Sequence, residues 1–143
     1  MILFYPARIT HVPEDRKYLV EFPDLPGCLT DGATFEDAKR NAKEALTGYL
    51  ASAFEKGQYI PEPSTARSRG LYFIEPEPEV SVPIVIRRLR EASNLTQPDV
   101  ADALGIALQA YQRIEKPGKS NPTLKTLARL AKVFGKELHL EFA

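Results

Sequence analysis

Residues 95–119, LTQPDVADALGIALQAYQRIEKPGK, have the spacing of two short helices joined by a tight turn. A helix-turn-helix needs a small residue where the helices cross and a turn residue that tolerates a left-handed φ, and Ala101 and Gly105 occupy those positions. It also needs apolar anchors that leave one face of the second helix in solvent. The residues suited to that role are Val100, Leu104, Ile106 and Ile114. The stretch therefore predicts a helix-turn-helix.

The second helix of this pair, predicted over 107–115, has a free face rich in amide side chains. Glutamine can bond adenine at N6 and N7, arginine can bond guanine at O6 and N7, and leucine can touch a thymine methyl group. An ordinary solvated face is the alternative interpretation, but several independent requirements agree on DNA reading. The predicted base contacts are Leu108, Gln109, Gln112 and Arg113.

The start of the preceding helix predicts contacts to the DNA backbone. Thr96 is suited to cap this helix, and Gln97 follows at a position where a side chain and its backbone N–H can grip a phosphate.

The rest of the second half is also predicted to be helical. Ser81 is suited to cap a helix with Pro83 at its first position, and TLKTLARLAKVF (123–134) forms a final helix that Gly135 ends. The tail KELHLEF alternates apolar and polar residues, which is a strand signal. An unpaired strand could be satisfied by a second copy of the chain, so we expect a homodimer or a higher homo-oligomer through this mainly α domain.

The first half predicts an α+β domain of order β-β-β-α-β. Strand signals occur in ILFYPARIT (2–10), KYLVEF (17–22), CLT (28–30) and LYFIEP (71–76). Thr34 and Asp37 have the spacing of a helix cap, and apolar residues then recur every three or four positions until Gly57. EPEPEVS (75–81) predicts a stiff linker, because each proline fixes φ and removes a backbone donor.

The charges are divided unevenly between the two halves. The whole chain has 19 basic and 19 acidic side chains, but residues 1–64 have 7 basic and 10 acidic ones, while residues 80–143 have 10 and 6. This asymmetry suits a basic half that meets phosphate and an acidic half that meets a basic partner, although solvated faces are the alternative.

The sequence indicates a cytoplasmic protein. Cys28 is the only cysteine, and the start MILFYPARIT lacks the basic region and the long apolar run of an export signal. No apolar run approaches the roughly 20 residues that span a bilayer, so no membrane association is expected.

Enzymatic activity is not expected either. Asp24, Asp31, Glu36 and Asp37 are carboxylates of the type that two-metal hydrolysis uses, but the first two lie in a turn-rich segment and Asp37 is explained by helix capping. His11 and His139 have no second ligand at metal-binding spacing. We therefore expect no catalytic residue, no metal and no cofactor.

Over some forty residues from Leu95, the sequence resembles the Cro/C1/Xre helix-turn-helix family. The resemblance implies base contacts from Leu108, Gln109 and Arg113 and a buried ion pair between Arg90 and Glu115. The predicted phosphate contacts are Thr96, Gln97, Lys116 and Lys119. The chain departs from the pattern at Ala107, where a capping Ser or Thr is usual, at Pro117 in the loop, and in its terminal strand.

The first half resembles HicB antitoxins. The pattern consists of an Asp-x-Pro-Gly loop, a Gly-x-Thr helix start and a closing Ile-Pro-x-Pro-Ser, and here these are 24–27, 32–34 and 60–64. The resemblance implies a partial ribonuclease-H-like domain over 1–74 that masks a HicA-like mRNA-cleaving toxin. The linker over 75–81 would join it to a DNA-binding and dimerisation domain over 82–143 that represses the operon. The alternative is a free-standing transcription factor whose first domain senses a ligand.

Overall fold

The computed structural model describes residues 3–143, and the chain divides into two compact units, Met1–Ser81 and Val82–Ala143. The first unit has the predicted β-β-β-α-β order. Its elements are β1 (Tyr5–Val12), β2 (Lys17–Glu21), β3 (Leu29–Gly32), α1 (Phe35–Glu55) and β4 (Leu71–Ile74). The first strand was predicted from Ile2, which lies outside the described residues.

The four strands form one antiparallel sheet in the order β3-β2-β1-β4. A 3-10 turn over Pro13–Asp15 closes the first hairpin, and Arg16 leaves this turn with a left-handed φ of 50°. β1 and β2 pair in a register that places Ile9 opposite Val20, and both residues are buried. β4 returns to the free side of β1, so the strand predicted over 71–76 is present and forms an edge of the sheet.

One face of the sheet is covered by α1. Thr34 caps this helix by accepting a hydrogen bond from the Asp37 N–H at 3.0 Å, as the spacing predicted. The buried residues of α1 recur every three or four positions, which places them on one stripe of the helix. They are Ala38, Ala42, Leu46, Leu50 and Ala53.

The helix lies very close to the sheet at Gly32, the last residue of β3. A Cβ atom placed there would lie 2.3 Å from the backbone nitrogen of Ala38 and 2.7 Å from its Cα. Backbone cannot move aside as a flexible side chain can. The Gly-x-Thr motif therefore combines a contact that only glycine permits with the helix cap two residues later.

The extended linker predicted over 75–81 is not present. Helix α2 (Pro78–Ala92) begins inside that segment, and Val80 and Ser81 are buried. Proline is favourable at the first helical position, because the missing N–H has no partner in the helix there, and the segment was misread because its prolines suggested an extended chain. Pro83 consequently lies inside the helix rather than at its start, and Ser81 is not its cap.

The second unit is helical, as predicted, with α3 (Gln97–Leu104), α4 (Leu108–Ile114) and α5 (Leu124–Val133) following α2. Gly105 ends α3 with a φ of 68°, the left-handed value that the turn requires. Arg129 of α5 donates a hydrogen bond to the Leu104 carbonyl at 2.6 Å, which gives a partner to a carbonyl group at the end of α3. The buried core is formed by Ile86, Val100, Ala101, Leu104, Tyr111, Ile114, Leu130 and Phe134.

No strand is present in the tail, so the strand predicted for KELHLEF is wrong for the single chain. Residues 136–143 have no regular structure, and the side chains of Leu140 and Phe142 are 66% and 92% exposed. A strand requires a neighbouring strand for its backbone hydrogen bonds, and the helical second unit has none to offer.

We predict that Gly32→Ala destabilises the protein by about 1–3 kcal/mol, because the added methyl group has no space against the backbone of α1. Gly48→Ala is the matched control. No atom within 4 Å would meet its Cβ, and alanine is the better helix former by about 1 kcal/mol. Denaturant unfolding of the full chain should separate the two variants in sign, and equal effects would contradict the close approach.

Candidate nucleic-acid interface

The start of α3 presents the first group that could bind a phosphate. Thr96 and Asp99 form a capping box, in which Thr96 Oγ1 accepts from the Asp99 N–H at 3.2 Å and Asp99 Oδ2 accepts from the Thr96 N–H at 2.8 Å. The hydrogen bond from the Thr96 N–H lowers the pKa of Asp99. In the first turn of α3, Pro98 has no N–H and the Asp99 N–H is already bonded to Thr96. The Gln97 N–H therefore remains for a phosphate, and the Thr96 hydroxyl can also donate a hydrogen bond to it.

Helix α4 presents the face on which base contacts were predicted. Its N-cap, Ala107, makes no side-chain hydrogen bond, so the departure noted in the sequence leaves this helix without a polar cap. Tyr111 and Ile114 are buried, while Gln109 and Arg113 are exposed. Leu108 is 37% exposed and Gln112 is half-buried at the edge of this face. Three of the four predicted base contacts, Leu108, Gln109 and Arg113, therefore lie on the exposed side of α4, and Gln112 lies at its edge.

A buried carboxylate lies under this face. Glu115 is 2% exposed, and its Oε1 accepts hydrogen bonds from Arg90 Nε and the Tyr111 hydroxyl, each at 2.6 Å. Its Oε2 accepts from Arg90 Nη2 at 3.2 Å and from Gln97 Nε2 at 2.9 Å. The ion pair implied by the family resemblance is thus part of a larger network that joins α2, α3 and α4.

The network determines the ionisation of its members. Burial opposes the charged form of Glu115, but the hydrogen bonds from Arg90, Tyr111 and Gln97 outweigh it and lower the pKa of this carboxyl. The hydrogen bond to Glu115 raises the pKa of Arg90, and burial followed by the hydrogen bond to Glu115 raises that of Tyr111. Glu115 is consequently an ionised acceptor, and Tyr111 is a neutral donor.

The Gln97 side chain faces inward rather than lying free at the surface. In addition to its bond with Glu115, its Oε1 accepts from Gln112 Nε2 at 3.3 Å. Neither contact was predicted from the sequence, which assigned Gln97 to a phosphate. Besides the Arg90–Glu115 pair that the family resemblance implied, the sequence signal for the network is a tyrosine four residues before Glu115, which places both on one side of a helix.

The loop after α4 has few free amides. The N–H groups of Lys116, Lys119 and Ser120 all donate within the segment, and Pro117 has none. The loop therefore offers few backbone N–H groups to a phosphate. The exposed side chains of Lys116 and Lys119 remain as the cationic groups of the loop.

In the first unit, two of the quoted motifs contact each other. Asp24 of the Asp-x-Pro-Gly loop accepts hydrogen bonds from the Ser64 N–H at 2.7 Å and from the Ser64 hydroxyl at 2.6 Å. Nearby, Tyr49 donates to the Pro26 carbonyl at 3.1 Å and Tyr5 donates to the Pro61 carbonyl at 2.7 Å. The motif that closes the pattern is therefore bound to the one that opens it, and we name the two hydrogen bonds between Asp24 and Ser64 the Asp24–Ser64 clasp.

The other acidic candidates do not converge with Asp24. Asp31 pairs with Lys17 at 3.4 Å, and Asp37 pairs with Arg40. His11 stacks on Tyr18, and His139 lies 3.5 Å from Glu137. Burial raises the pKa of the Cys28 thiol to about 11. Within residues 3–143, no group of three or more potential metal ligands is found, and none of the helices is long and apolar enough to cross a membrane.

Comparison with known proteins covers both units. The family model described as HicB_like antitoxin of bacterial toxin-antitoxin system matches residues 5–77, and a helix-turn-helix model matches residues 86–140. Antitoxin HicB of Escherichia coli (strain K12) is 32% identical over 136 residues, which are 95% of this chain and 96% of the relative. The chain belongs to the HicB-like antitoxin family.

A further relative agrees with this assignment. Antitoxin HicB 2 of Photorhabdus laumondii is 30% identical over 95% of this chain and 94% of its own length. A solved structure titled HicA3 and HicB3 toxin-antitoxin complex matches 52% of this chain and 99% of the matched chain, with 27% identity and a TM-score of 0.41.

Family membership assigns this HicB-like chain the role of an antitoxin with a helix-turn-helix DNA-binding domain, a regulatory role rather than catalysis. The relatives give no support to the alternative of a free-standing transcription factor with a ligand-sensing domain.

We predict that Glu115→Gln destabilises the second unit by about 3–5 kcal/mol, because Arg90 would keep a largely buried charge without its partner. Glu91→Gln is the control. Its pair with Arg87 is solvent-exposed, and such pairs contribute less than about 1 kcal/mol. Denaturant unfolding at neutral pH measures both changes.

The same variant has a characteristic pH dependence. Because the folded-state pKa of Glu115 lies below its usual 4.5, its stabilisation is complete above that pH and is lost as the pH falls through the lowered value. The difference in unfolding free energy between the natural chain and Glu115→Gln should therefore shrink below about pH 4.5. A difference that stays constant on acidification would contradict the ionised network.

Proposed function

We propose that the chain masks a small, basic, HicA-like ribonuclease toxin with its first unit and represses its own operon with its second, acting in the cytoplasm. The observation that carries this proposal is the extent of the similarity to antitoxins, which runs through both units and covers 95% of the chain. A DNA-binding domain fused to a toxin-masking domain allows one protein to control both the activity and the supply of the toxin.

The DNA-reading part of the proposal assigns base contacts to the exposed face of α4. Gln109 and Arg113 lie four residues apart and are both exposed, so they can point into one major groove. Arginine pairs best with the two acceptors of guanine, and glutamine with adenine. Leu108 can touch a thymine methyl group, and Gln112 is the fourth proposed base contact.

The phosphate contacts fall to the start of α3 and to the loop after α4. The Thr96 hydroxyl and the Gln97 backbone amide lie at the start of α3, and Lys116 and Lys119 supply positive charge beyond α4. Residues 80–143 have 10 basic and 6 acidic side chains, which favours the approach of a polyanion.

The toxin-masking part rests on the opposite charge of the first half. A ribonuclease must be cationic where it holds RNA phosphates, and residues 1–64 have 10 acidic against 7 basic side chains. Asp24 is held by Ser64 and Asp31 by Lys17, so these carboxylates are engaged in structure. We infer that inhibition works by covering the toxin's RNA-binding surface.

A homodimer or higher homo-oligomer completes the proposal. One helix-turn-helix reads only a few base pairs, and affinity is gained when two copies contact half-sites about 34 Å apart. The exposed tail, with Leu138, Leu140 and Phe142, offers backbone and apolar side chains that a second copy could pair in an antiparallel ladder.

We predict that Gln109→Ala and Arg113→Ala each cost about 1–3 kcal/mol in binding to the DNA upstream of the gene, with little effect on random DNA. Lys116→Ala is the control, because loss of a phosphate contact should weaken binding to both DNAs alike. Titration at one fixed salt concentration measures all three variants. Equal losses on both DNAs for Gln109→Ala and Arg113→Ala would remove the base-reading role.

We predict that the full chain binds the basic product of a neighbouring reading frame and stops its cleavage of RNA at equimolar ratio. Binding should weaken as salt rises, because the attraction is between opposite charges. An RNA cleavage assay with purified proteins measures inhibition. If the full chain itself cleaves RNA with Mg²⁺ and loses that activity on Asp24→Asn or Asp31→Asn, the chain is a two-metal nuclease and the masking proposal is wrong.

We predict that deletion of residues 137–143 converts the oligomer to monomers, since the tail would supply the pairing strand. Sedimentation of the full chain and the truncated chain at the same concentration measures this. Replacing the exposed Leu124 of α5 by Ala serves as a control for general loss of apolar surface. A truncated chain that stays fully dimeric would show that another surface joins the copies.

A further inference from the structure

Gln97 connects a buried charge to the exposed face of α4. Its Nε2 lies 2.9 Å from Glu115 Oε2, and its Oε1 lies 3.3 Å from Gln112 Nε2. Glu115 is 2% exposed, whereas Gln112 is half-buried at the edge of the proposed reading face. A single side chain therefore joins the core network to a proposed base-contacting residue.

The chemistry of these groups allows only one orientation of each amide. An ionised carboxylate can only accept hydrogen bonds, so Gln97 must turn its NH₂ group toward Glu115. Its carbonyl oxygen then faces Gln112. Since that oxygen also only accepts, Gln112 must in turn present its NH₂ group to Gln97.

This orientation leaves a defined pair of groups on Gln112. One N–H is used by Gln97, and within residues 3–143 no other side-chain hydrogen bond to the Gln112 amide is found. When Gln97 takes the N–H that is trans to the carbonyl oxygen of Gln112, the oxygen and the second N–H remain side by side on the other edge of the amide. These are the acceptor and the donor that adenine N6 and N7 require together.

We propose that Gln97 is a positioning residue that fixes the amide orientation of Gln112, so that Gln112 reads adenine. The proposal rests on DNA reading by α4 and adds to it the source of one base preference. Gln97 can still offer its backbone N–H to a phosphate, because that group takes no part in the network.

The test compares variants of the full chain by selection from a pool of random-sequence DNA duplexes. Gln112→Met should abolish the preference for adenine at one position of the selected site. Gln97→Met keeps the length of the side chain but removes both hydrogen bonds, and it should reduce the preference at the same position by about fivefold or more. The double variant should lose no more at that position than Gln112→Met alone, because the two residues act through one contact.

A second variant separates positioning from stability. Gln97→Lys can still donate to Glu115, as an ion pair, but it cannot accept from Gln112. It should keep the thermal stability of the natural chain and lose the adenine preference, with a shift toward guanine, whose O6 and N7 are both acceptors. Overall affinity should not fall, because the lysine adds a positive charge near the DNA.

Two controls isolate the path through Gln97. Tyr111→Phe removes another donor to Glu115 while the hydrogen bond between Gln97 and Gln112 stays, so it should lower stability and leave the base preference unchanged. Gln109→Met should relax a different position of the site, and its effect should add to that of Gln97→Met.

The inference is overturned if Gln97→Met weakens all sequences equally, relaxes a position other than that of Gln112→Met, or is matched in base preference by Tyr111→Phe. It is also overturned if Gln97→Lys keeps the adenine preference. A natural chain that selects no DNA sequence would overturn the proposed DNA reading together with it. A natural chain that selects a site which the Gln97 variants leave unchanged would overturn this inference alone.

Discussion

Burial of the Glu115 carboxylate is the constraint on which the second unit depends. An ionised carboxylate cannot remain in an apolar core without donors, because desolvation costs several kcal/mol. Here the donors come from three separate helices: Arg90 from α2, Gln97 from α3 and Tyr111 from α4. If any one helix moved away, the charge would lose a partner, so the carboxylate penalises arrangements in which the helices are displaced.

This constraint matters most for α4, which has little stability of its own. The helix has only 7 residues and its N-cap makes no side-chain hydrogen bond. Helices of this length are not stable in water without tertiary contacts. Its orientation therefore comes from the buried side chains of Tyr111 and Ile114 and from the Glu115 network that follows them. The exposed face of α4 can hold a fixed position because the opposite face is packed in the core and hydrogen-bonded to Glu115.

In the first unit, side-chain hydrogen bonds hold a segment without regular structure. Between α1 and β4, residues 58–68 form neither helix nor strand. The Asp24–Ser64 clasp and the bond from Tyr5 to the Pro61 carbonyl fasten this segment to the sheet and to the loop before β3. Asp24 was considered as a metal ligand because it is a carboxylate, but its two hydrogen bonds to Ser64 give it a structural role.

Most of the fold could be predicted from the sequence because its signals are local. The cap at Thr34, the glycine at the end of α3 and the apolar spacing of α1 each act within one element, and all three were read correctly. The start of α2 could not be read, since proline suits both an extended linker and a first helical turn. The strand predicted in the tail is absent for a different reason. Alternation of apolar and polar residues shows that a segment could pair as a strand, but not whether a partner strand exists.

The Gln97 contacts could not be predicted because an amide side chain has no fixed preference. A glutamine can donate, accept or do both, and only its three-dimensional neighbours decide which. Its position at the start of α3 predicted that Gln97 contacts a phosphate, whereas the structure shows its side chain bonded to a buried carboxylate. A helical pattern gives the face on which a residue lies, whereas the partner of its side chain depends on contacts between residues that are distant in sequence.

The residues of the proposed reading face consequently differ in what sets their base preference. Arg113 carries only donors, so its suitability for guanine is intrinsic to the side chain. Gln112 carries both kinds of group, and its orientation depends on Gln97 and, through it, on the charge of Glu115. Two chains with the same exposed residues on α4 can therefore differ in specificity when their buried residues differ. The DNA preference of such a domain is therefore determined partly by side chains that do not contact the DNA.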